Sequence, residues 1–150
     1  MLSISQESPT TEEVASLLRQ SDAYSASLYP PESNHQPDLA ALSADGVRFF
    51  VARLDGKAAG CGALVIGEPG AAELKRMFVD PAARGHGIGR RLLDAIEAAA
   101  RGEGVALLRL ETGIDNREAL RLYHRCGYRE RGRFGDYAAD PLSIFMEKPL

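Results

Sequence analysis

The stretch that decides the fold runs from Glu73 to Arg91 and reads ELKRMFVDPAARGHGIGRR. Its first residues are apolar with basic interruptions, which predicts a β-strand. Asp80-Pro81 ends this strand, because proline cannot donate a ladder hydrogen bond and restricts the residue before it. Three alternate glycines follow, and apolar residues then recur at helical spacing. The stretch therefore predicts a strand, a glycine-rich loop and the start of a helix.

The glycine-rich loop has the chemistry of a pyrophosphate-binding site. Gly85, Gly87 and Gly89 carry no Cβ atom, so a ligand can approach the backbone closely. The first N–H groups of the helix are free to bind an anion, and the positive end of the helix dipole lies behind them. Arg84 and Arg90 add positive charge at the same place. A tight turn before a helix would also explain the glycines, without any ligand.

Two other nucleotide-binding loops do not fit this sequence. A P-loop needs Gly-Lys-Ser/Thr to reach phosphates and magnesium, and the chain has no such sequence. The dinucleotide fingerprint has two residues between its last glycines and opens a βαβ unit. Here single residues separate the glycines, and the loop comes after the midpoint of the chain.

A second motif follows the predicted helix. It begins with LETG at residues 110–113, continues with Asn116, and ends with YHRCGY at residues 123–128. Together with RGHGIG at residues 84–89, it resembles the GNAT superfamily of N-acetyltransferases, in particular bacterial members that act on small molecules. The resemblance spans residues 47–148 and implies one domain over 1–150. It implies a mixed α/β fold whose mostly antiparallel sheet has one splayed parallel strand pair and helices on both faces.

The remaining patterns predict the elements of such a fold in order. Hydroxyl residues followed by glutamates at 8–13 predict a helix that ends before Pro30, after an edge strand near Ile4. Asp55-Gly56 predicts a tight turn between two strands. The predicted strands span 47–54, 58–66, 72–79, 105–111, 128–133 and 143–147, and further helices are predicted near 38–42 and over 88–101 and 116–126.

Composition limits the class of protein. A length of 150 residues with 45% hydrophobic residues suits one domain with a sizeable core. The chain has neither a long apolar run nor a signal-peptide pattern, which predicts a cytoplasmic protein without a membrane partner. Cys61 and Cys126 lack metal-ligand spacing, so no metal site is predicted. The net charge of −3 argues against nucleic acid as a partner, while the basic excess between Lys75 and Arg133 would attract a polyanion such as coenzyme A.

The resemblance implies that acetyl-CoA is the cosubstrate and assigns residues to it. The glycine loop would hold the pyrophosphate, and a strand N–H near Phe78 or Val79 would polarise the thioester carbonyl if the family's strand bulge is present. Asn116 would contact the pantetheine arm, although a helix N-cap explains an asparagine equally well. The implied coenzyme-binding residues are Met77, Phe78, Val79, Arg84, Gly85, His86, Gly87, Ile88, Gly89, Arg90, Asn116 and Tyr123.

Several side chains are candidates for the proton transfers. Tyr123 follows Asn116 by two helical turns, so both project from one face, and the resemblance makes Tyr123 the acid that protonates the departing thiolate. A phenol is protonated at neutral pH, although a half-buried core tyrosine is the alternative. The resemblance makes Glu73 the candidate general base, acting through water, and Glu111 on the neighbouring strand is a second candidate. Either carboxylate could instead pair with a basic residue. His35 stays open as another base, and an amine that arrives deprotonated would need no dedicated base.

The resemblance places the acceptor site at the loop after the first helix and at the last pair of strands. The candidates there mix carboxylates with aromatic rings, which suits a small amine with an apolar part, although surface loops can have the same composition. The candidate acceptor-binding residues are Tyr29, Glu32, His35, Phe134, Asp136 and Tyr137.

The sequence therefore predicts an acetyl-CoA-dependent N-acetyltransferase. It would move an acetyl group to the primary amine of a small molecule by direct attack in a ternary complex. Two alternatives stay open: acetylation of a protein or peptide, which needs an open groove, and a non-catalytic acetyl-CoA-binding module, which would lack the acid. A homodimer also stays open, since many family members dimerise and no segment of this chain marks an interface.

Overall fold

A computed structural model describes all of residues 1–150 and is built around one seven-stranded sheet. The elements are β1 (Leu2–Gln6), α1 (Glu12–Leu28), α2 (Leu39–Leu42), β2 (Val47–Leu54), β3 (Lys57–Ile66), β4 (Ala71–Val79), α3 (Ile88–Gly102), β5 (Leu107–Gly113), α4 (Arg117–Arg125), β6 (Arg129–Arg131) and β7 (Ser143–Pro149). The strand order in the sheet is β1-β2-β3-β4-β5-β7-β6; the pair β4–β5 is parallel, and all other neighbours are antiparallel. The predicted mixed α/β fold is confirmed.

Helices cover both faces of the sheet and define two hydrophobic clusters. Strand β2 shows the division, because Phe49 packs on the side of α1 while its neighbour Phe50 packs on the side of α3 and α4. Val14 and Leu17 of α1 belong to the smaller cluster. The larger cluster contains Leu92 and other residues of α3 that are fully buried. None of the helices is both long enough and apolar enough to cross a membrane.

Local chemistry sets most element boundaries where the sequence predicts them. Helix α1 begins after Thr11, whose side chain accepts a hydrogen bond from the N–H of Val14. The predicted strand at 128–133 is shorter in the structure and spans Arg129–Arg131. It starts later because the N–H of Tyr128 bonds to the carbonyl of Tyr123 at 2.9 Å and so ends helix α4. Gly127 makes this possible with a φ of 93°, a backbone conformation that favours glycine.

The parallel pair splays apart halfway along its length. Strand β4 pairs with β5 only from Ala71 to Leu74, although both strands continue beyond that point. From Lys75 onwards β4 follows β3, and β5 follows β7, so a gap opens between them. Backbone groups of β4 that face this gap have no partner on β5.

A β-bulge lies on β4 at the start of the gap. The register with β3 shifts between Cys61 and Ala63, and Arg76 has a φ of 58°, which is rare for a residue with a side chain. The bulge also explains the packing, since Leu74 and Met77 both join the larger cluster although they are three residues apart. An undistorted strand would send them to opposite faces.

Candidate active site

Two cavities meet in the gap between β4 and β5. The first, of about 660 Å³, lies between the bulge, the glycine loop and α4. The second, of about 270 Å³, lies between the end of α1, the loop that follows it, and β5. Five residues line both cavities and so mark the junction: Ser25, Gln36, Met77, Asn116 and Tyr123.

The glycine loop forms one wall of the first cavity and leads into α3. Gly85 and Gly87 have φ values of 89° and 70°, and Gly87 is the N-cap of α3. Gly89 allows α4 to come close, because a Cβ atom there would lie 2.8 Å from Leu122 Cδ2. The backbone N–H groups at the start of α3 therefore border an open cavity, as an anion site requires.

Eleven of the twelve residues predicted to bind the coenzyme line the first cavity. They are Met77, Phe78, Val79, Arg84, Gly85, Gly87, Ile88, Gly89, Arg90, Asn116 and Tyr123. The twelfth, His86, does not line it. Its Nδ1 donates to the carbonyl of Ala83 at 2.9 Å, so the ring closes the loop on itself.

The sequence did not indicate two basic residues of α4 or three residues of α1 that also line the first cavity. Arg121 and Arg125 are one helical turn apart on the same face of α4. The basic excess of this segment was the only signal for them. Ser21, Tyr24 and Ser25 come from α1, and nothing in the sequence connects that helix with the glycine loop.

Asn116 occupies the N-cap position of α4, but its side chain makes no capping hydrogen bond. Its carbonyl accepts the N–H of Leu120 at 3.1 Å, so the backbone alone supplies the cap. Since the side chain lines both cavities, its amide group is available to a ligand at the junction.

Tyr123 lies at the junction and is 5% exposed. Its ring meets that of Tyr128 edge-on, with centroids 5.7 Å apart, and its hydroxyl makes no hydrogen bond within the protein. Burial, and then the nearby Glu111 carboxylate, raise the pKa of this phenol above its usual value. The group is therefore a neutral hydrogen-bond donor across the physiological pH range.

Glu111 lines the second cavity together with Tyr123. Burial raises the pKa of its carboxyl group, and a hydrogen bond of 2.7 Å from Ser143 Oγ partly opposes that shift. A carboxylate with a raised pKa is a better base than an exposed one, because it holds a proton more tightly.

Glu73, the predicted base, does not line the second cavity with Glu111 and Tyr123. It lines a third cavity of about 590 Å³, on the far side of Lys75, and not the cavity that contains Tyr123. Its carboxylate accepts a hydrogen bond from the Tyr137 hydroxyl, and Lys75 Nζ lies 3.2 Å from Oε2. Lys75 also donates to the carbonyl of His35 at 3.2 Å, so Glu73 is one member of a connected polar cluster.

The predicted acceptor residues divide between the cavities. Tyr29 lines the second cavity, and its hydroxyl accepts a hydrogen bond from the N–H of Asp115 at 2.9 Å. His35 lines both the second and the third, with Nε2 3.6 Å from Asp140 Oδ2. Glu32 is exposed and lines none of the three cavities. The others line the third cavity: Phe134, Asp136 and Tyr137.

Comparison with known proteins agrees with this geometry. A model of the acetyltransferase (GNAT) family matches residues 12–128, which include both cavities' main walls. The chain is a GNAT acetyltransferase. The glycine loop, the β4 bulge and Tyr123 all fall within the matched GNAT region.

Individual relatives extend the match to the whole chain. A relative from Azospirillum brasilense, named IAA acetyltransferase, is 50% identical over 99% of this chain and 98% of its own. A Klebsiella pneumoniae structure described as an acyl-CoA N-acyltransferase superposes with a TM-score of 0.88 at 42% identity, over 100% and 98% of the two chains. The Thermoplasma acidophilum PaiA N-acetyltransferase, solved with coenzyme A, shares the fold with a TM-score of 0.78 at 20% identity, over 100% and 99%.

Proposed function

We propose that this GNAT acetyltransferase transfers the acetyl group of acetyl-CoA to the primary amine of a small molecule, by direct attack in a ternary complex. The observation that supports this most is the position of Tyr123, where the first and second cavities meet. Acetyl-CoA would occupy the first cavity and the acceptor the second. The thioester would then lie at the junction, beside the acid that its thiolate needs.

The coenzyme would be held by the wall that Gly85, Gly87 and Gly89 form, with the pyrophosphate at the N-terminus of α3. Arg121 and Arg125 add positive charge on the opposite wall. The pantetheine arm would run past Asn116 into the gap between the splayed strands. Backbone N–H groups of β4 beyond the bulge would polarise the thioester carbonyl.

In the proposed reaction, one side chain accepts the proton that the amine loses, and another donates a proton to the departing thiolate. The amine nitrogen attacks the carbonyl carbon, and the C–S bond breaks as the new C–N bond is completed. Glu111 takes the proton that the amine loses, and Tyr123 gives a proton to the thiolate. Glu111 suits the role of base better than Glu73, because Glu111 shares a cavity with Tyr123 and Glu73 does not.

The size of the second cavity favours a small acceptor. A cavity of about 270 Å³ lies just below the range of about 300–1,000 Å³ that is typical of small-molecule sites. Pro30, Pro31 and His35 form a wall where a peptide acceptor would need an open groove. The name of the Azospirillum brasilense relative also specifies an acceptor, IAA, and we take this as support for a small molecule.

Release of the coenzyme A thiol tests the proposal. Acetyl-CoA is held at a fixed concentration while amino acids, polyamines, aryl-alkyl amines, IAA and N-terminal peptides are offered as acceptors. Thiol release with a small amine, together with the acetylated product in a mass spectrum, is the expected result. Release only with peptides would establish the protein-acetylating alternative. Calorimetric binding of acetyl-CoA without release by any acceptor would favour a binding module.

A further inference from the structure

We infer that the ion pair between Arg76 and Asp22 positions the β4 bulge for polarisation of the thioester. Both are then positioning residues for acetyl transfer, and the inference rests on the function proposed above. Arg76 is the bulged residue itself, and Asp22 lies on α1. Met77 and Phe78, which follow Arg76 directly, line the first cavity.

The backbone at Arg76 is held in a conformation that its own side chain disfavours. A φ of 58° is adopted readily by glycine and at a cost by other residues. Such a conformation persists only where its surroundings enforce it, and it is common at active sites. The sequence nevertheless has arginine here, so the side chain must supply something that glycine could not.

The guanidinium group supplies a contact across the molecule. Arg76 Nη1 donates to Asp22 Oδ1, and Nη2 lies 3.4 Å from Asp22 Oδ2. The Arg76 side chain is 5% exposed, and Asp22 is the one carboxylate that neutralises it. Since an unpaired buried charge is strongly unfavourable, the position of Arg76 is tied to that of α1.

A second contact holds the carbonyl of the bulged residue. Cys61 Sγ lies 3.3 Å from the Arg76 carbonyl oxygen and donates to it. Burial raises the pKa of the Cys61 thiol to about 12, so the proton stays on sulfur. Cys61 is opposite Phe78 in the register of β3 and β4. These contacts fix both the side chain and the carbonyl group of Arg76. They therefore also set the orientation of the N–H groups of Met77 and Phe78, which follow it.

Replacing Arg76 by alanine or by glycine separates the effect of the backbone conformation from the effect of the ion pair. Arg76→Ala loses the pair and keeps the cost of the positive φ, so the bulge should relax and kcat should fall about tenfold or more, as when a carbonyl-polarising donor is misplaced. Arg76→Gly also loses the pair but adopts the bulge freely, so its kcat should exceed that of Arg76→Ala by roughly fivefold or more. The KM for acetyl-CoA should change by less than about twofold in both, because the pyrophosphate site is untouched.

Asp22→Asn tests the partner with less risk to folding, and Asp22→Glu should restore part of kcat. Glu12→Gln is the matched control, because it removes an exposed ion pair with Arg19 on the same helix. It should leave kcat unchanged. If Arg76→Ala and Asp22→Asn lower only the melting temperature and keep kcat, the pair is merely structural and the inference is wrong.

Hydrogen exchange gives a second measurement that needs no acceptor. In ¹⁵N-labelled protein, the amides of Met77 and Phe78 should exchange faster in Arg76→Ala and Asp22→Asn than in the parent chain. Exchange in Glu12→Gln should match the parent. Equal exchange in all four proteins would overturn the inference, even if the parent chain acetylates nothing. If the parent chain acetylates nothing, faster exchange in Arg76→Ala and Asp22→Asn would still support the positioning and would contradict only the proposed reaction.

Discussion

The ring of Tyr29 occupies the space that a side chain on Gly113 would need, since a Cβ atom there would lie 1.9 Å from Tyr29 Oη. The same hydroxyl accepts the N–H of Asp115 at 2.9 Å. The residue after α1 is thereby held against the end of β5. The contact forms one wall of the second cavity, so the shape of the proposed acceptor site depends on Gly113.

Gly113→Ala is expected to destabilise the protein by about 1–3 kcal/mol, because the added methyl group must displace a hydrogen-bonded aromatic ring. It should also raise the KM for the acceptor. Chemical denaturation and steady-state kinetics measure the two effects. In a Tyr29→Ala background the same change should cost much less stability, because the clash has gone. Simple additivity of the two losses would show that the ring does not restrict this position.

Tyr123→Phe is expected to lower kcat by about 10²-fold or more, because the thiolate would leave without a proton donor. The affinity for acetyl-CoA, measured by calorimetry, should stay the same, since the ring still fills its place. Tyr128→Phe is the matched control: its hydroxyl bonds to Glu97 at 2.8 Å in the core. That variant should lose stability and keep kcat. Full turnover by Tyr123→Phe would exclude this tyrosine as the acid.

The pH dependence of kcat/KM should report Glu111. A general base acts when deprotonated, so the rate should fall as pH drops through the pKa of Glu111, which burial places above the usual value. Ser143→Ala should move this fall to higher pH, because the lost hydrogen bond stabilised the carboxylate. Glu111→Gln should remove the fall and most of the rate.

Glu73→Gln is the control for that experiment, because Glu73 lies on the same face of the sheet but in the third cavity. In Glu73→Gln, kcat/KM should still fall as the pH is lowered. If Glu73→Gln lost the fall in kcat/KM at low pH and Glu111→Gln kept it, Glu73 and not Glu111 would be the base.

The choice between these two carboxylates shows where sequence reasoning stops. Glu73 pairs with Arg109 inside the parallel register, whereas Glu111 lies beyond Leu110, where the pairing has ended. Glu73 and Glu111 both lie in segments whose residue pattern predicts a strand, so the sequence does not show which of them is closer to Tyr123. What separates them is the point at which β4 and β5 diverge, and that point depends on the bulge and on the neighbours of both strands.

The glycine loop, by contrast, could be predicted because its structure is local. Gly85 and Gly87 need their positive φ values for the turn into α3, and the apolar spacing of α3 is visible in the sequence. His86 is the instructive exception. Its place between two glycines indicates a ligand contact, but its ring bonds back to Ala83, and no sequence pattern distinguishes these two directions.

Position 87 offers a direct test of the anion site. A Cβ atom on Gly87 would have no neighbour within 4 Å, so a longer side chain has room, although the φ of 70° makes any substitution strained. Gly87→Glu and Gly87→Gln carry the same strain and nearly the same shape. They differ in charge, and a negative charge at the N-terminus of α3 favours the helix itself.

The glutamate variant should therefore be at least as stable as the glutamine variant and yet bind acetyl-CoA more weakly. Glutamate at position 87 would repel the pyrophosphate, and we expect its Kd for acetyl-CoA to exceed that of the glutamine variant by about tenfold at low salt. The gap should shrink as salt is added, because exposed charges are screened. S-acetylpantetheine, which has no pyrophosphate, should bind the two variants equally. A charge effect of the same size with S-acetylpantetheine would place the pyrophosphate away from the glycine loop.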